Sequence, residues 1–187
     1  MNAVTSANRH LIGVEESVLV IIDVQERLLP VVDDHEGVVH NITRLLQFAK
    51  ETGLPVVVTQ QEKLGEIVPE IRELVSEQAV VSKRQFDCLA CADFSTQLRA
   101  LGRQSLVLCG IETHICVAQT ALHAIEDNYH VQVISDAGSS RKRSNWEVGI
   151  GRMREAGVVV SSTEMLIYEV LKEAGTQLFK RILPIIK

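Results

Sequence analysis

The stretch 105–118 reads SLVLCGIETHICVA and combines a buried strand with the start of a helix. Four successive apolar residues at 106–109 are typical of a strand covered on both faces, as in a parallel sheet, and Gly110 is predicted to end it. A helix is expected to begin at Thr113, whose side chain is a suitable N-cap, and this places Cys116 in the first helical turn. A strand followed directly by a helix is the repeating unit of α/β folds.

Cys116 is a candidate nucleophile because of its place in this stretch. The first turn of a helix carries free backbone N–H groups and the positive end of the helix dipole, which favour a thiolate and lower the pKa of a thiol. The same N–H groups are donors for a negative charge that develops on a substrate oxygen. The alternative interpretation is a small buried apolar residue, since most cysteines take no part in chemistry.

Length and composition are those of an ordinary globular protein. The 187 residues suffice for one hydrophobic core, so we expect a single domain over 1–187, with 1–14 as a loosely ordered N-terminal extension. The net charge of −5 argues against a nucleic-acid or membrane partner. The N-terminal residues show no signal-peptide pattern, so a cytoplasmic location is predicted. The 4 cysteines are expected to be reduced thiols.

Apolar runs predict six strands, separated and followed by amphipathic or capped helices. The strands are predicted at 18–22, 56–58, 79–81, 106–109, 131–134 and 158–160, with Asp136 just beyond the fifth. The helices are predicted at 37–53, 69–77, 93–100, 113–128 and 144–157, and from Thr163 and Thr176 onward. This alternation predicts a three-layer α-β-α fold with a six-stranded parallel sheet in the Rossmann-like strand order 3-2-1-4-5-6.

Three polar residues are predicted to meet at the carboxyl edge of that sheet. Asp23 follows the first strand, Lys83 ends the third, and Cys116 follows the fourth. The first and fourth strands are neighbours at the switch point where α/β proteins bind ligands. A thiol, a carboxylate that exchanges protons and a cation are the parts of a cysteine hydrolase. The alternatives are that Asp23 caps a turn, that Lys83 is a solvated strand end and that Cys116 belongs to the core.

Other motifs give weaker signals. Cys88 and Cys91 have the spacing of a redox motif but do not open a helix after a first strand, as a thioredoxin site would. No second pair of this spacing and no nearby histidine completes a zinc site, so neither a metal nor a cofactor is expected. His114 lies two residues from Cys116, which on a regular helix directs the two side chains apart. The basic run 141–143 is most simply a solvated patch.

Five segments resemble the isochorismatase-like cysteine hydrolases, a superfamily that includes nicotinamidases and N-carbamoylsarcosine amidohydrolase. They occur in the family's order along nearly the whole chain and read IIDVQERLLP, GLPVVVTQQ, SKRQFDCL, VLCGIETHICV and VISDAGSS. The resemblance places the family's catalytic residues on Asp23, Lys83 and Cys116. It also implies a cis peptide bond between Ile111 and Glu112 and an oxyanion hole made by the backbone N–H groups of Glu112 and Cys116.

The resemblance bears on cofactor and substrate as well. Nicotinamidases of the family carry an Asp-x-His metal site after the second strand, where this chain reads TQQEK at 59–63, so a metal-independent enzyme is expected. Some isochorismatases that cleave vinyl ethers lack the cysteine, so Cys116 favours acyl chemistry on a small amide or related C–N bond. Phe86, Gln25 and Glu112 are assigned by position to the pocket for this small-molecule substrate.

Alternative functions and the oligomeric state stay open at this point. The alternatives are a non-catalytic binding or scaffold protein with the same fold, an isochorismatase-type ether hydrolase, and a thiol redox protein that uses Cys88 and Cys91. The resemblance also implies a homo-oligomer, either a dimer or a tetramer. The apolar segment 178–186 is a candidate interface, or alternatively packs on its own domain.

Overall fold

A parallel sheet of six strands forms the centre of the computed structural model, which describes residues 11–187. The strands are β1 (Ser17–Ile22), β2 (Val56–Gln61), β3 (Val80–Lys83), β4 (Ser105–Ile111), β5 (His130–Ser139) and β6 (Val159–Ser161). Their order is β3-β2-β1-β4-β5-β6 and every neighbouring pair is parallel. The predicted fold class and strand order are therefore confirmed.

Helices cover both faces of the sheet. They are α1 (His35–Thr52), α2 (Pro69–Arg72), α3 (Ala92–Leu101), α4 (Ala118–Glu126), α5 (Arg143–Glu155), α6 (Thr163–Leu171) and α7 (Gln177–Ile186). Helices α1, α2, α6 and α7 contribute to the core on one face, and α3, α4 and α5 to the core on the other. Among the described residues, no helix is both long and apolar enough to cross a membrane.

Strand β1 shows how the two cores are built. All six of its side chains are buried. Leu19 and Ile21 belong to the core that includes α1 and α6. Val18, Val20 and Ile22 belong to the core that includes α3 and α4. Successive side chains of a strand point to opposite faces, so a strand covered on both faces is apolar at every position.

The predictions for β4 and β5 were too short. Strand β4 does not end at Gly110 but continues through it to Ile111, and β5 continues beyond residue 134 to Ser139. The φ angle of Gly110 is +111°, and a Cβ atom on it would lie 2.2 Å from the carbonyl oxygen of Ile22. The backbones of β4 and β1 therefore approach each other too closely for any side chain at this position.

Asp136 and one helix also differ from their predicted positions. Asp136 lies inside β5 rather than beyond its end. Its carboxylate accepts hydrogen bonds from the backbone nitrogen and the hydroxyl of Thr163, at 2.8 and 3.0 Å, and so fixes the start of α6. The helix predicted over 69–77 ends at Arg72.

Both ends of the described chain pack against the helices on one face. Residues 1–10 of the predicted N-terminal extension lie outside the described residues. Ile12, also part of that extension, is buried, and its amide donates to the Glu169 carboxylate at 3.4 Å. The segment 178–186 forms most of α7 and packs on its own domain, because Ile182 is buried in the same core as α1 and Arg44 donates to the carbonyl of Ile185 at 2.9 Å.

A histidine ion pair fastens α4 to the segment after β3. His123 Nδ1 lies 2.6 Å from Asp87 Oδ2, and His123 Nε2 lies 3.7 Å from Asp127 Oδ2. The hydrogen bond to Asp87, together with the charges of Asp87 and Asp127, raises the pKa of His123 despite the opposing effect of burial. Asp87 also accepts from the amide of Leu89 at 2.9 Å, so its contact with His123 joins α4 to a local turn.

We expect Gly110→Ala to destabilise the fold by roughly 3 kcal/mol or more, because the new Cβ overlaps backbone atoms of Ile22 and the φ angle disfavours alanine. Gly151→Ala is the matched control, since apart from the adjoining backbone of α5 no described atom lies within 4 Å of its Cβ position. That change should add about 0.5–1 kcal/mol of stability. Urea unfolding measures both. A Gly110→Ala protein within about 1 kcal/mol of wild type would contradict the close approach.

The His123 ion pair predicts a pH-dependent contribution to stability. Because the folded pKa is raised, the contribution is complete below about pH 6.5, the unfolded value, and is lost as pH rises through the folded pKa. The difference in unfolding free energy between wild type and His123→Gln should therefore be larger at about pH 5.5 than at about pH 9. The exposed His40 of α1 provides the control, as His40→Gln. A difference that grows with pH would show that the sign is wrong.

Candidate active site

Asp23 lies directly after β1 in a backbone conformation that few residues adopt. Its φ angle is +53°, in the left-handed region that aspartate tolerates better than most residues with a side chain. The residue is fully buried. Its Oδ1 accepts a hydrogen bond from Thr59 Oγ1 at 2.7 Å, and its backbone nitrogen donates to the carbonyl of Thr59 at 3.2 Å. The end of β2 thus fixes both the backbone and the carboxylate of Asp23.

Lys83 forms a buried ion pair with this carboxylate. Its Nζ lies 2.6 Å from Asp23 Oδ2, and both side chains are 0% exposed, so Lys83 is not a solvated strand end. The ammonium also donates to Gln61 Oε1 at 2.9 Å and to the carbonyl of Gln85 at 3.0 Å, which gives each of its three protons an acceptor. Burial by itself lowers the pKa of Lys83, but the Asp23 carboxylate and weaker neighbours more than offset this, so the pKa is raised.

Cys116 lies in a π-helical turn, Thr113–Val117, that leads directly into α4. It is 6% exposed. The Thr120 hydroxyl, one turn further on, donates to the carbonyl of Cys116 at 2.7 Å. The same hydroxyl accepts from the backbone nitrogen of Cys88 at 3.0 Å. Thr120 therefore links the nucleophile turn to the segment after β3.

The prediction for the start of the helix that carries Cys116 is wrong in one detail. Thr113 is not the N-cap, because Glu112 precedes the turn and Thr113 is its first residue. The Thr113 hydroxyl donates instead to the carbonyl of Ser139 at 3.1 Å. The peptide bond between Ile111 and Glu112 is cis.

The pKa of the Cys116 thiol is raised, whereas its position at a helix start predicted a lowered pKa. Burial is the main cause, the negative charge of Asp23 raises the pKa further, and Lys83 lowers it. A helix start favours the thiolate most where the sulfur is accessible and no anion lies near it. The structure brings Asp23, Lys83 and Cys116 together at one edge of the sheet. The raised pKa favours the neutral thiol, and the charges of Asp23 and Lys83 both act on it.

Thr59 and Gln61 contact the ion pair directly, and the sequence interpretation missed both roles. They belong to the segment 59–63, whose sequence indicated only that the family's Asp-x-His metal motif is missing. Their position at the carboxyl end of the strand between those of Asp23 and Lys83 was the available signal. Within residues 11–187, no group of three or more His, Cys, Asp or Glu side chains is placed to hold a metal ion. Gln61 is bound to Lys83 instead.

Cys88 and Cys91 are both buried free thiols. Cys88 Sγ lies 4.0 Å from Thr59 Oγ1, and burial raises its pKa to about 12 against the opposing charge of Lys83. Cys91 Sγ contacts the carbonyl of Ser82 at 3.9 Å. Redox-active thiols are accessible and have lowered pKa values. The burial of both sulfurs and the raised pKa of Cys88 therefore argue against the redox alternative.

The residues assigned to the substrate pocket lie in different surroundings. Gln25 is fully buried, and its Nε2 donates to the carbonyls of Gln61 and Gly65 at 3.0 and 2.7 Å. Its Oε1 accepts from the Gln61 nitrogen at 2.8 Å. These contacts correct the assignment: Gln25 holds the end of β2 in place and has no free polar group for a substrate. Phe86 is 55% exposed on the segment that follows Lys83.

Known proteins resemble this chain over nearly its whole length. The secreted isochorismatase effector Isc1 of Phytophthora sojae is 34% identical over 195 residues, which cover 100% of this chain and 93% of the relative. The structure of MAR1 ribonuclease from Caenorhabditis elegans has a TM-score of 0.88 at 27% identity, covering 94% of this chain and 92% of that one. YcaC of Escherichia coli, described as an octameric hydrolase of unknown specificity, has a TM-score of 0.86 at 24% identity, with coverages of 93% and 91%.

The family model of the isochorismatase domain matches residues 17–165. The match begins with β1 and ends within α6, so it includes all six strands and the three residues brought together at the sheet edge. The resemblance predicted from the motifs is confirmed, and family membership supports hydrolase activity. The chain therefore belongs to the isochorismatase family.

Proposed function

We propose that the protein is a metal-independent cysteine hydrolase that cleaves a small amide or a related C–N bond through a thioester. The observation that carries this proposal is the buried ion pair of Lys83 and Asp23, 2.6 Å apart, whose charges act on the protonated thiol of Cys116. A thiol nucleophile with a carboxylate base is suited to acyl transfer. Family membership supports the hydrolase class.

Asp23 is the proton carrier in this mechanism. The raised pKa of the Cys116 thiol keeps the sulfur protonated until a substrate carbonyl is in place. As the sulfur attacks the carbonyl carbon, Asp23 accepts the thiol proton. It then gives this proton to the leaving nitrogen when the C–N bond breaks, which leaves a thioester. Lys83, 2.6 Å from Asp23 Oδ2, fixes the direction of the carboxylate before the attack.

The backbone N–H groups of Glu112 and Cys116 form the proposed oxyanion hole. The Glu112 N–H donates to no acceptor among the described residues, so it is available to the substrate oxygen. Such a donor is worth on the order of 3 kcal/mol in the activation barrier. Water then attacks the thioester, Asp23 accepts the water proton, and the thiol is regenerated as the acid is released.

The structure supports small substrates and a reaction without a metal. Cys116 is only 6% exposed, which suits a small molecule better than a polymer, and Phe86 is proposed to line the entrance. At the end of β2, where an Asp-x-His metal site would need a carboxylate and an imidazole, the chain carries Thr59 and Gln61, and the Gln61 side-chain oxygen is bound to Lys83. The net charge of −5 argues against a nuclease activity such as that named for the C. elegans neighbour.

We also propose a homo-oligomer, because the E. coli neighbour is described as octameric. A dimer or tetramer is the expectation, and size exclusion with light scattering measures the oligomeric state.

A cytoplasmic location stays a prediction, since one relative is described as secreted.

Incubation with a library of small amides and carbamoyl compounds should reveal a substrate that acylates Cys116, detected by mass spectrometry of rapidly quenched protein. Asp23→Asn and Lys83→Met are each expected to lower kcat/KM by about 10²–10⁴-fold, because proton transfer to and from the thiol is lost. Cys116→Ala is expected to remove turnover and the acyl adduct. Treatment with a chelator should leave the wild-type rate unchanged.

Cys91→Ala is the matched control for the nucleophile, because Cys91 is a buried thiol whose sulfur, among residues 11–187, has a polar contact with Ser82 alone. It should keep the wild-type rate. Turnover that survives Cys116→Ala but is lost in Cys88→Ala or Cys91→Ala would support the redox alternative. Cleavage of a vinyl ether without an adduct would support an ether hydrolase. If no compound is turned over and none forms an adduct, the result would support the scaffold alternative.

A further inference from the structure

The side chain of Glu112 places a negative charge beside the nucleophile turn. Only 4% of this side chain is exposed. Its Oε2 accepts from the backbone nitrogen of Arg141 at 2.8 Å, and its Oε1 accepts from Arg141 Nε at 3.0 Å. Glu112 therefore does not line a pocket as predicted, and Arg141 is not simply part of a solvated patch. One carboxylate takes both a main-chain and a side-chain donor of the same arginine.

The backbone of Glu112 organises the turn that carries the nucleophile. Its carbonyl accepts hydrogen bonds from the amides of Ile115 at 3.0 Å and Val117 at 3.4 Å. These two residues flank Cys116 on either side. A displacement of Glu112 is therefore transmitted to both neighbours of the nucleophile.

Further contacts bind the same turn to the end of β5, to the residue after it and to the start of α5. Thr113 Oγ1 donates to the carbonyl of Ser139 at 3.1 Å. His114 Nδ1 lies 2.9 Å from Ser140 Oγ, and His114 Nε2 lies 3.3 Å from Asn145 Nδ2. Three successive residues, 112–114, thus bind the stretch 139–145, and among these three only Glu112 does so through a buried charge.

We propose that Glu112 and Arg141 act as a positioning pair for the nucleophile turn, in which Arg141 both fixes Glu112 and neutralises its charge next to the oxyanion. This inference rests on the proposed function, in which the Glu112 N–H is an oxyanion donor. The effect of the Glu112 charge on the reaction has a definite direction, because a carboxylate that lacks its arginine partner opposes the negative charge that develops on a nearby oxyanion. Loss of Arg141 alone should therefore be worse than loss of both charges.

The test is a kinetic comparison of Arg141→Met, Glu112→Gln and the double variant on a small amide. Arg141→Met should lower kcat about 10²-fold with KM changed by less than about 3-fold, since the donor and its charge environment act in the transition state. Glu112→Gln should cost about 10-fold, because its amide oxygen can still accept from the Arg141 backbone nitrogen. The double variant should recover kcat at least about 5-fold over Arg141→Met.

A second readout needs no substrate and separates this inference from the proposed function. Alkylation of Cys116 by iodoacetamide at fixed pH should be at least about 3-fold slower in Arg141→Met, because the uncompensated carboxylate disfavours the thiolate. The double variant should return toward the wild-type rate. If wild type hydrolyses no amide, the proposed function fails, while this alkylation series still decides whether Arg141 neutralises Glu112.

Two controls keep the outcome clear. Glu147→Gln removes an exposed pair, Arg143 and Glu147 at 3.6 Å, and should leave both rates unchanged. Arg141→Lys keeps the charge and should retain kcat within about 10-fold of wild type. If Arg141→Met does not fold, Arg141→Gln, which also removes the charge, replaces it as the test. The proposal would be overturned if Arg141→Met kept the wild-type kcat and the wild-type rate of Cys116 alkylation. It would also be overturned if the double variant had a lower kcat than Arg141→Met.

Discussion

The ion pair between Asp23 and Lys83 is the interaction on which the site depends. Both charges are removed from water, and such a pair is tolerated only where hydrogen bonds satisfy its remaining atoms. Thr59, Gln61 and the carbonyl of Gln85 supply those bonds. The partners come from β1, β2, β3 and the segment after β3, so the first three strands have to be in register before the pair can form. A buried pair adds little net stability compared with apolar packing, which is a reason to look for its function.

The same pair determines the chemistry available to Cys116. A thiol buried beside a carboxylate resists ionisation, and the nearby ammonium offsets this only in part. In the proposed mechanism the nucleophile is therefore generated during the reaction, when Asp23 takes the proton, and is not stored as a thiolate. A neutral thiol that is almost completely buried is also a poor target for oxidants, which react with accessible thiolates. Burial thus protects Cys116 and makes it dependent on Asp23.

The fold, and the meeting of Asp23, Lys83 and Cys116 at one edge of the sheet, could be predicted from the sequence because both follow from periodicity. Apolar runs alternating with amphipathic segments predict a parallel sheet, for which 3-2-1-4-5-6 is a common strand order, and residues at strand ends fall on its carboxyl edge. Gly110 was misread as a strand end, because a run of apolar residues does not reveal that a neighbouring backbone lies too close for a Cβ. The sign of the Cys116 pKa shift was also wrong, because the helix start is visible in the sequence but burial and the nearness of Asp23 arise only on folding.

Hydrogen-bond partners were the other part that the sequence could not supply. Gln25 and Gln61 are both amides near strand ends, yet one is committed to backbone groups and the other binds Lys83. Glu112 was placed in a pocket by its position, whereas its carboxylate binds Arg141, which is distant in the sequence. Such pairings depend on loop conformation, and apolar periodicity carries no information about it.

The most direct test of the central claim is the pH dependence of Cys116 alkylation in wild type, Asp23→Asn and Lys83→Met, with the modified residue identified by mass spectrometry. The account predicts that wild-type Cys116 titrates above the value of roughly 8.5 for a free thiol. It predicts that Asp23→Asn lowers the apparent pKa of Cys116 and that Lys83→Met raises it. A wild-type Cys116 that titrates below that value, or one whose titration Asp23→Asn leaves unchanged, would contradict a neutral thiol controlled by the ion pair.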